Sequence, residues 1–135
     1  MELTLRRAAA GLVFCLALGA SAAAENVWVK VKGGSWEPSP KMIAELKAGV
    51  EPYVKDQAMA QGRKLRNWRE YTFQYQGQEE SERKSIFINA LCIGDDRWHL
   101  DREMVIVLDG GSCFFNVKYD PARKQFYGLS INGGA

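Results

Sequence analysis

Histidine is almost absent from this chain, since His99 is the only one among 135 residues. This weakens every catalytic mechanism that depends on an imidazole. The sequence also lacks a G-x-S-x-G elbow and a C-x-x-C motif, which mark hydrolase nucleophiles and thiol oxidoreductases. A formal net charge of only +2 gives no electrostatic reason to expect nucleic acid or an anionic membrane as a partner. We interpret the basic residues within 63–69 as a solvated turn or strand end, and we expect no cofactor and no bound metal.

No apolar run is long enough to cross a membrane, because the longest, residues 8–20, falls short of the roughly 20 residues that a spanning helix needs. Arg6 and Arg7 precede this run, and small residues at 19–24 offer A-x-A-like cleavage sites. This pattern is typical of a secretory signal peptide over residues 1–24. We therefore expect export to the periplasm or the medium. The mature chain would begin between Ala23 and Glu25 and form a single domain over residues 25–135.

Cysteine is scarce, with three residues in the chain. Cys15 lies inside the predicted signal peptide, and the preceding Phe14 does not fit a lipid-anchoring motif. Cys92 and Cys113 remain, and an even pair in an oxidising compartment predicts one disulfide. The closed loop would contribute roughly 3 kcal/mol of stability. The alternative is a free reactive thiol at either position. If Cys113 is unpaired, its thiol could act as a nucleophile together with His99.

One amphipathic helix is predicted after Ser39, which is a suitable N-cap because proline follows at the first helical position. Gly62 stands where a helix C-terminus favours glycine. Pro52, together with Gly49, predicts a kink or two short helices in tandem. The apolar stripe comprises Met42, Ile43, Leu46, Val50, Tyr53 and Val54.

The other predicted elements are strands, recognised by alternating or continuous apolar residues. Short connections between most of them favour an antiparallel meander. We interpret residues 77–82 as a polar turn, and residues 104–108 as a strand that pairs with the strand at 113–119 through the Asp109-Gly110-Gly111 turn. The strands are predicted at residues 27–32, 71–76, 85–92, 104–108, 113–119 and 125–131. The predicted fold is α+β, with one helix packed on a four- to five-stranded antiparallel sheet.

This arrangement is similar to the cystatin-like plan, in which a helix wraps across an antiparallel sheet. The chain has no match to the central Gln-Val-Val-Ala-Gly-type loop of cystatin inhibitors, so the likeness implies a shape and not protease inhibition. Residues 71–77, 87–92, 109–121 and 132–133 resemble a group of short exported proteins of Gram-negative bacteria. That resemblance implies a bacterial periplasmic or secreted origin and no activity.

The densest polar cluster consists of Asp95, Asp96, His99 and Asp101. Carboxylates with one imidazole could hold a divalent cation, which is the basis of a metal-dependent enzyme hypothesis. The spacing does not match an EF-hand loop, and an exposed loop rich in Asp and Gly is the ordinary explanation of this composition. We therefore predict neither a metal site nor a catalytic site here.

Tryptophan is the more informative residue, because Trp28, Trp36, Trp68 and Trp98 all fall at or beside predicted loops or strand ends. Tryptophan is enriched at contact surfaces, which makes these four a candidate binding surface. The alternative is that they cap the open ends of a small core.

The sequence favours an exported, non-catalytic binding or inhibitor-type module whose partner is an envelope or extracellular protein. Two alternatives remain open at this point. One is a small hydrolase or metal-dependent enzyme that uses the Asp95–Asp101 loop. The other is a carrier that holds a small apolar ligand between helix and sheet. The oligomeric state is not predicted.

Overall fold

The computed structural model describes residues 25–92, 94 and 96–134, so the predicted signal peptide lies outside the described residues. The described chain forms an open five-stranded sheet in the order β1-β2-β3-β4-β5, with α1 packed on one face. The elements are β1 (Trp28–Lys30), α1 (Pro40–Ala60), β2 (Thr72–Glu80), β3 (Arg83–Leu91), β4 (Phe114–Asp120) and β5 (Gln125–Ile131). The predicted α+β class is confirmed. Within these residues no helix has the length and apolar character needed to cross a membrane.

Helix α1 begins and ends as its sequence predicts. The Ser39 hydroxyl accepts a hydrogen bond from the backbone N–H of Met42 at 3.2 Å. At the other end Gly62 has a φ of +65°, and the next residue, Arg63, donates its N–H to the carbonyl of Ala58. The buried face consists of Leu46, Val50, Val54 and Ala58.

The alternative of two tandem helices is wrong, because one helix runs through Pro52. Proline removes a single backbone hydrogen bond and exposes its ring to solvent here. Buried Val50 and Val54 flank it and keep both halves of the helix on the same sheet face. Packing of the continuous apolar stripe therefore outweighs the local cost of the proline.

The sheet is mixed, which corrects the prediction that it is wholly antiparallel. Strand β1 pairs in parallel with β2, with Trp28 opposite Phe73, while the later pairs are antiparallel. The physical reason is the crossover: α1 lies between β1 and β2, and a helical connection allows parallel pairing that a short turn forbids.

The first hairpin turn is shorter than predicted. Strand β2 continues to Glu80, and the turn itself consists of Ser81 and Glu82, with φ values of +50° and +63°. Residues 77–80 therefore belong to the strand and not to a polar turn. Glu79 and Glu80 are exposed at this end of the sheet, so their polarity is compatible with a strand.

Residues 104–108 do not form a strand, and the hairpin predicted between them and residues 113–119 is wrong. Strand β4 pairs instead with β3 on one side and with β5 on the other, so neither of its edges is free for residues 104–108. The segment crosses the face of the sheet opposite α1, where side-chain amides bind its backbone.

The predicted disulfide between Cys92 and Cys113 is confirmed, with their Cα atoms 4.9 Å apart. It joins the end of β3 to the start of β4 and lies beside a second small core of Leu91, Cys113 and Phe114. Because the disulfide uses both thiols, the alternative of a free Cys113 nucleophile paired with His99 does not apply to this structure.

Candidate binding groove

A groove of about 420 Å³ runs along the flank of α1 that faces β1. A second depression of about 510 Å³ continues it toward Arg66 and Arg69. The two depressions share three lining residues: Asn26, Glu51 and Trp68. Together they form one surface, which we call the α1–β1 groove.

The groove is open because α1 lies close to the far side of the sheet. Tyr53 stacks on Phe126 of β5 with ring centroids 5.3 Å apart. Gly49 permits this approach, since a Cβ atom there would lie 3.0 Å from the Phe126 ring. On the opposite flank the short side chains of Ala44 and Ala48 line the groove and leave space that larger residues would fill.

Two of the four tryptophans form the apolar part of the groove. Trp28 stacks on buried Phe73 with centroids 4.4 Å apart, and Trp68 lies 5.3 Å from the same ring. Both indoles are partly exposed. Strand β1 positions the first, and the 3-10 turn Trp68–Glu70 positions the second, with its backbone held by Asn26.

The turn that carries Trp68 is fixed by its own side chains. Asn67 accepts a hydrogen bond from the N–H of Arg69, and Glu70 accepts one from the N–H of Asn67. The preceding segment is attached to the sheet through Tyr71, whose hydroxyl accepts a hydrogen bond from the N–H of Arg66 and donates one to the carbonyl of Ser112. Burial raises the pKa of Tyr71, which keeps the phenol protonated and able to donate.

The positively charged side chains of the groove differ in whether they contact a partner. The Lys47 ammonium lies 5.6 Å from the centre of the Trp28 ring, a cation–π contact. Lys55 is paired with Glu51 at 2.5 Å. By contrast, the guanidinium groups of Arg66 and Arg69 are exposed and make no hydrogen bond or ion pair within the described part of the chain. One end of the groove therefore carries two positive charges that no described side chain pairs.

Trp36 and Trp98 lie outside this groove, so the four predicted tryptophans do not share one surface. The indole of Trp36 donates to the carbonyls of Gln78 and Ser85 and lies against the β2–β3 hairpin. Trp98 packs on Phe114 in the second core, on the opposite face of the sheet from α1.

The polar loop from Asp95 to Asp101 shows no arrangement typical of catalysis in its described part, and Asp95 itself lies outside the described residues. Asp96, His99 and Asp101 are exposed. Asp101 lies 3.9 Å from the ammonium of Lys32. Among the residues that the structure describes, no group of three or more His, Cys, Asp and Glu side chains could hold a metal ion.

The sequence predicts only part of the groove. Trp28 and Trp68 are candidate binding residues from their positions, whereas the pattern around Arg66 and Arg69 favours a solvated turn or strand end. Only the tertiary structure brings residues 26–28, the flank of α1 and residues 66–69 together.

Comparison with known proteins adds no relative: no protein family model, no curated protein and no solved structure matches this chain.

Proposed function

We propose that this protein is an exported, non-catalytic binding module that takes a segment of an envelope or extracellular protein into the α1–β1 groove. The predicted signal peptide and the disulfide support export. The resemblance to short exported proteins of Gram-negative bacteria supports an envelope setting, and the helix-on-sheet plan supports the cystatin-like description.

One observation carries the proposal: two partly exposed tryptophans line the same groove as two arginines whose guanidinium groups make no hydrogen bond or ion pair among the described residues. Tryptophan and arginine are the residues most enriched among the energetic centres of protein interfaces. The tryptophans offer an apolar contact, and the arginines offer bidentate donors to carboxylates. The expected partner segment therefore carries a large apolar side chain followed by acidic residues.

The alternative of an apolar carrier has less support from the core. Leu46, Val54 and Ile88 are fully buried between helix and sheet, and they occupy the space where such a ligand would lie. A carried ligand would have to displace these side chains, whereas the groove is open without any rearrangement.

The experiment is capture from an envelope extract with the purified, tagged protein, followed by affinity measurement on the captured partner. Arg66→Glu/Arg69→Glu reverses the charge at the end of the groove without touching the core. Arg123→Glu, an exposed arginine in the β4–β5 turn, is the matched control. We expect one stoichiometric protein with wild type and control, and an affinity at least tenfold weaker for the double variant.

Equal capture by the double variant would contradict the groove as the binding site. Absence of any stoichiometric protein would contradict a protein partner. Trp68→Phe gives a second measurement, since phenylalanine keeps an aromatic ring against the core but removes part of the surface exposed in the groove. It too should weaken binding.

A further inference from the structure

Residues 104–108 are rich in β-forming side chains, yet they pair with no strand of the described chain. Their backbone is held by side chains of the sheet below and of Asn132. Val105 donates its N–H to Gln74 at 2.9 Å and accepts at its carbonyl from Asn89 at 2.7 Å. The carbonyl of Val107 accepts from the side chain of Asn132.

The residues alternate as they do in a β-strand. Val105 and Val107 use backbone groups to bind the sheet and are partly buried. Ile106 makes no backbone hydrogen bond within the described residues, and the residue is 56% exposed. Leu108 is 92% exposed. Unpaired N–H and C=O groups beside exposed apolar side chains are a template for an added strand.

The charges at the two ends of the segment indicate which strand fits. Glu103 and Asp109 are exposed, and neither carboxylate has a partner in the described part of the chain. If two copies paired antiparallel about Ile106, Glu103 of each would lie opposite Asp109 of the other, which is unfavourable. A strand with basic residues at its ends has the opposite and favourable arrangement.

We propose that residues 104–108 are a strand-addition site that takes an extended apolar segment of another protein with lysine or arginine at its ends. The site lies on the face of the sheet opposite α1. It is therefore independent of the groove, and either proposal can fail alone.

The probes are two synthetic peptides of alternating valine and threonine, one with lysine and one with glutamate at both ends. Binding is measured by fluorescence anisotropy, and hydrogen exchange of the Ile106 amide is followed by NMR. We expect the lysine-flanked peptide to bind at least tenfold more tightly than the other and to protect the Ile106 amide. Glu103→Lys/Asp109→Lys should reverse this preference.

Three outcomes would overturn the proposal: binding of neither peptide, equal binding of both, or protection confined to amides outside residues 104–108. Dimers of the free protein that Ile106→Asp abolishes would also overturn it, because they would make a second copy the occupant. Arg66→Glu/Arg69→Glu is the control for the groove and should leave peptide binding unchanged.

Discussion

Gln74 anchors the chain segment that covers the face of the sheet opposite α1. Its side chain is fully buried, and all its hydrogen-bonding groups are used. The amide nitrogen donates to the carbonyls of Leu100 and Glu103, and the oxygen accepts from Asn89 and from the N–H of Val105. A buried amide is stable only when satisfied in this way. Gln74 and Asn89 therefore attach the long connection between β3 and β4 to the sheet.

Asn89→Ala should lower the free energy of unfolding by about 1–3 kcal/mol, because the carbonyl of Val105 and the oxygen of Gln74 each lose a donor. The measurement is urea denaturation, with limited proteolysis to detect loosening of residues 100–107. Asn116 is the matched control, since it lies opposite Asn89 on β4 and makes no side-chain hydrogen bond within the described residues. A loss for Asn116→Ala as large as that for Asn89→Ala would contradict the anchoring role.

Asp120 should make stability depend on acid pH. The Arg83 guanidinium, 2.8 Å away, and the N–H groups of Arg123 and Ala122 lower the pKa of this carboxyl. A carboxyl with a lowered folded-state pKa stabilises the fold above its unfolded pKa of about 3.9, and the contribution is lost as pH falls through the folded value. Asp120→Asn should therefore have a lower free energy of unfolding than wild type at pH 7. When the free energy of unfolding is measured against pH, the difference between the two proteins should disappear as the pH falls below 4. Parallel curves across this range would refute the assignment.

At the scale of elements, α1 shows how packing decides a local conflict. Its buried face runs from Leu46 to Ala58, past both Gly49 and Pro52, while Met42, Ile43 and Tyr53 of the predicted stripe are partly buried. Gly49 has a tertiary use, because it admits the ring of Phe126. The same close contact with β5 leaves the other flank of the helix open, which creates the groove.

Leu46→Ala should cost about 2–5 kcal/mol of unfolding free energy, since the side chain is completely buried between helix and sheet. Met59→Ala on the same helix is the control, because Met59 is 78% exposed and should change stability by at most about 0.5 kcal/mol. Both are measured by chemical denaturation. A Leu46→Ala loss as small as that of the control would mean that the helix is not packed as described.

At the scale of the whole molecule, the disulfide closes the connection between β3 and β4. This is the longest segment between two consecutive helices or strands of the described fold. Cys92 and Cys113 are 21 positions apart, and the chain between them is attached to the sheet mainly by side-chain amides. The bond therefore limits the freedom of this connection in the unfolded chain.

Replacing both cysteines, Cys92→Ala/Cys113→Ala, should lower the free energy of unfolding by about 2–5 kcal/mol. Dithiothreitol should lower the melting temperature of the wild type to a similar extent and leave that of the double variant unchanged. Peptide mapping without reductant should show the linked pair. Free thiols at both positions in oxidised protein would contradict the structure.

The elements that the sequence predicts correctly are those whose signals are local. Ser39, Gly62 and the stripe through Leu46 and Val54 specify α1, because caps and helical periodicity depend on residues a few positions apart. The alternation of Tyr71 and Phe73 likewise predicts a strand with one aromatic face. The disulfide is predicted from the two cysteines that remain after the predicted signal peptide, together with the oxidising compartment expected for an exported chain.

Only the tertiary structure decided the strand pairing and the groove, because both depend on contacts between residues that are distant in sequence. Residues 104–108 have the pattern of a strand, yet β4 already pairs with β3 and β5. The segment is therefore held by side chains, and Ile106 makes no backbone hydrogen bond within the described residues. Whether β1 pairs in parallel depends on where α1 returns the chain, which no local pattern encodes. The groove combines residues 26–28, 44–51 and 66–69 only because α1 packs toward β5. Local periodicity fixes which face of an element is buried, whereas the choice of neighbour is a property of the assembled fold.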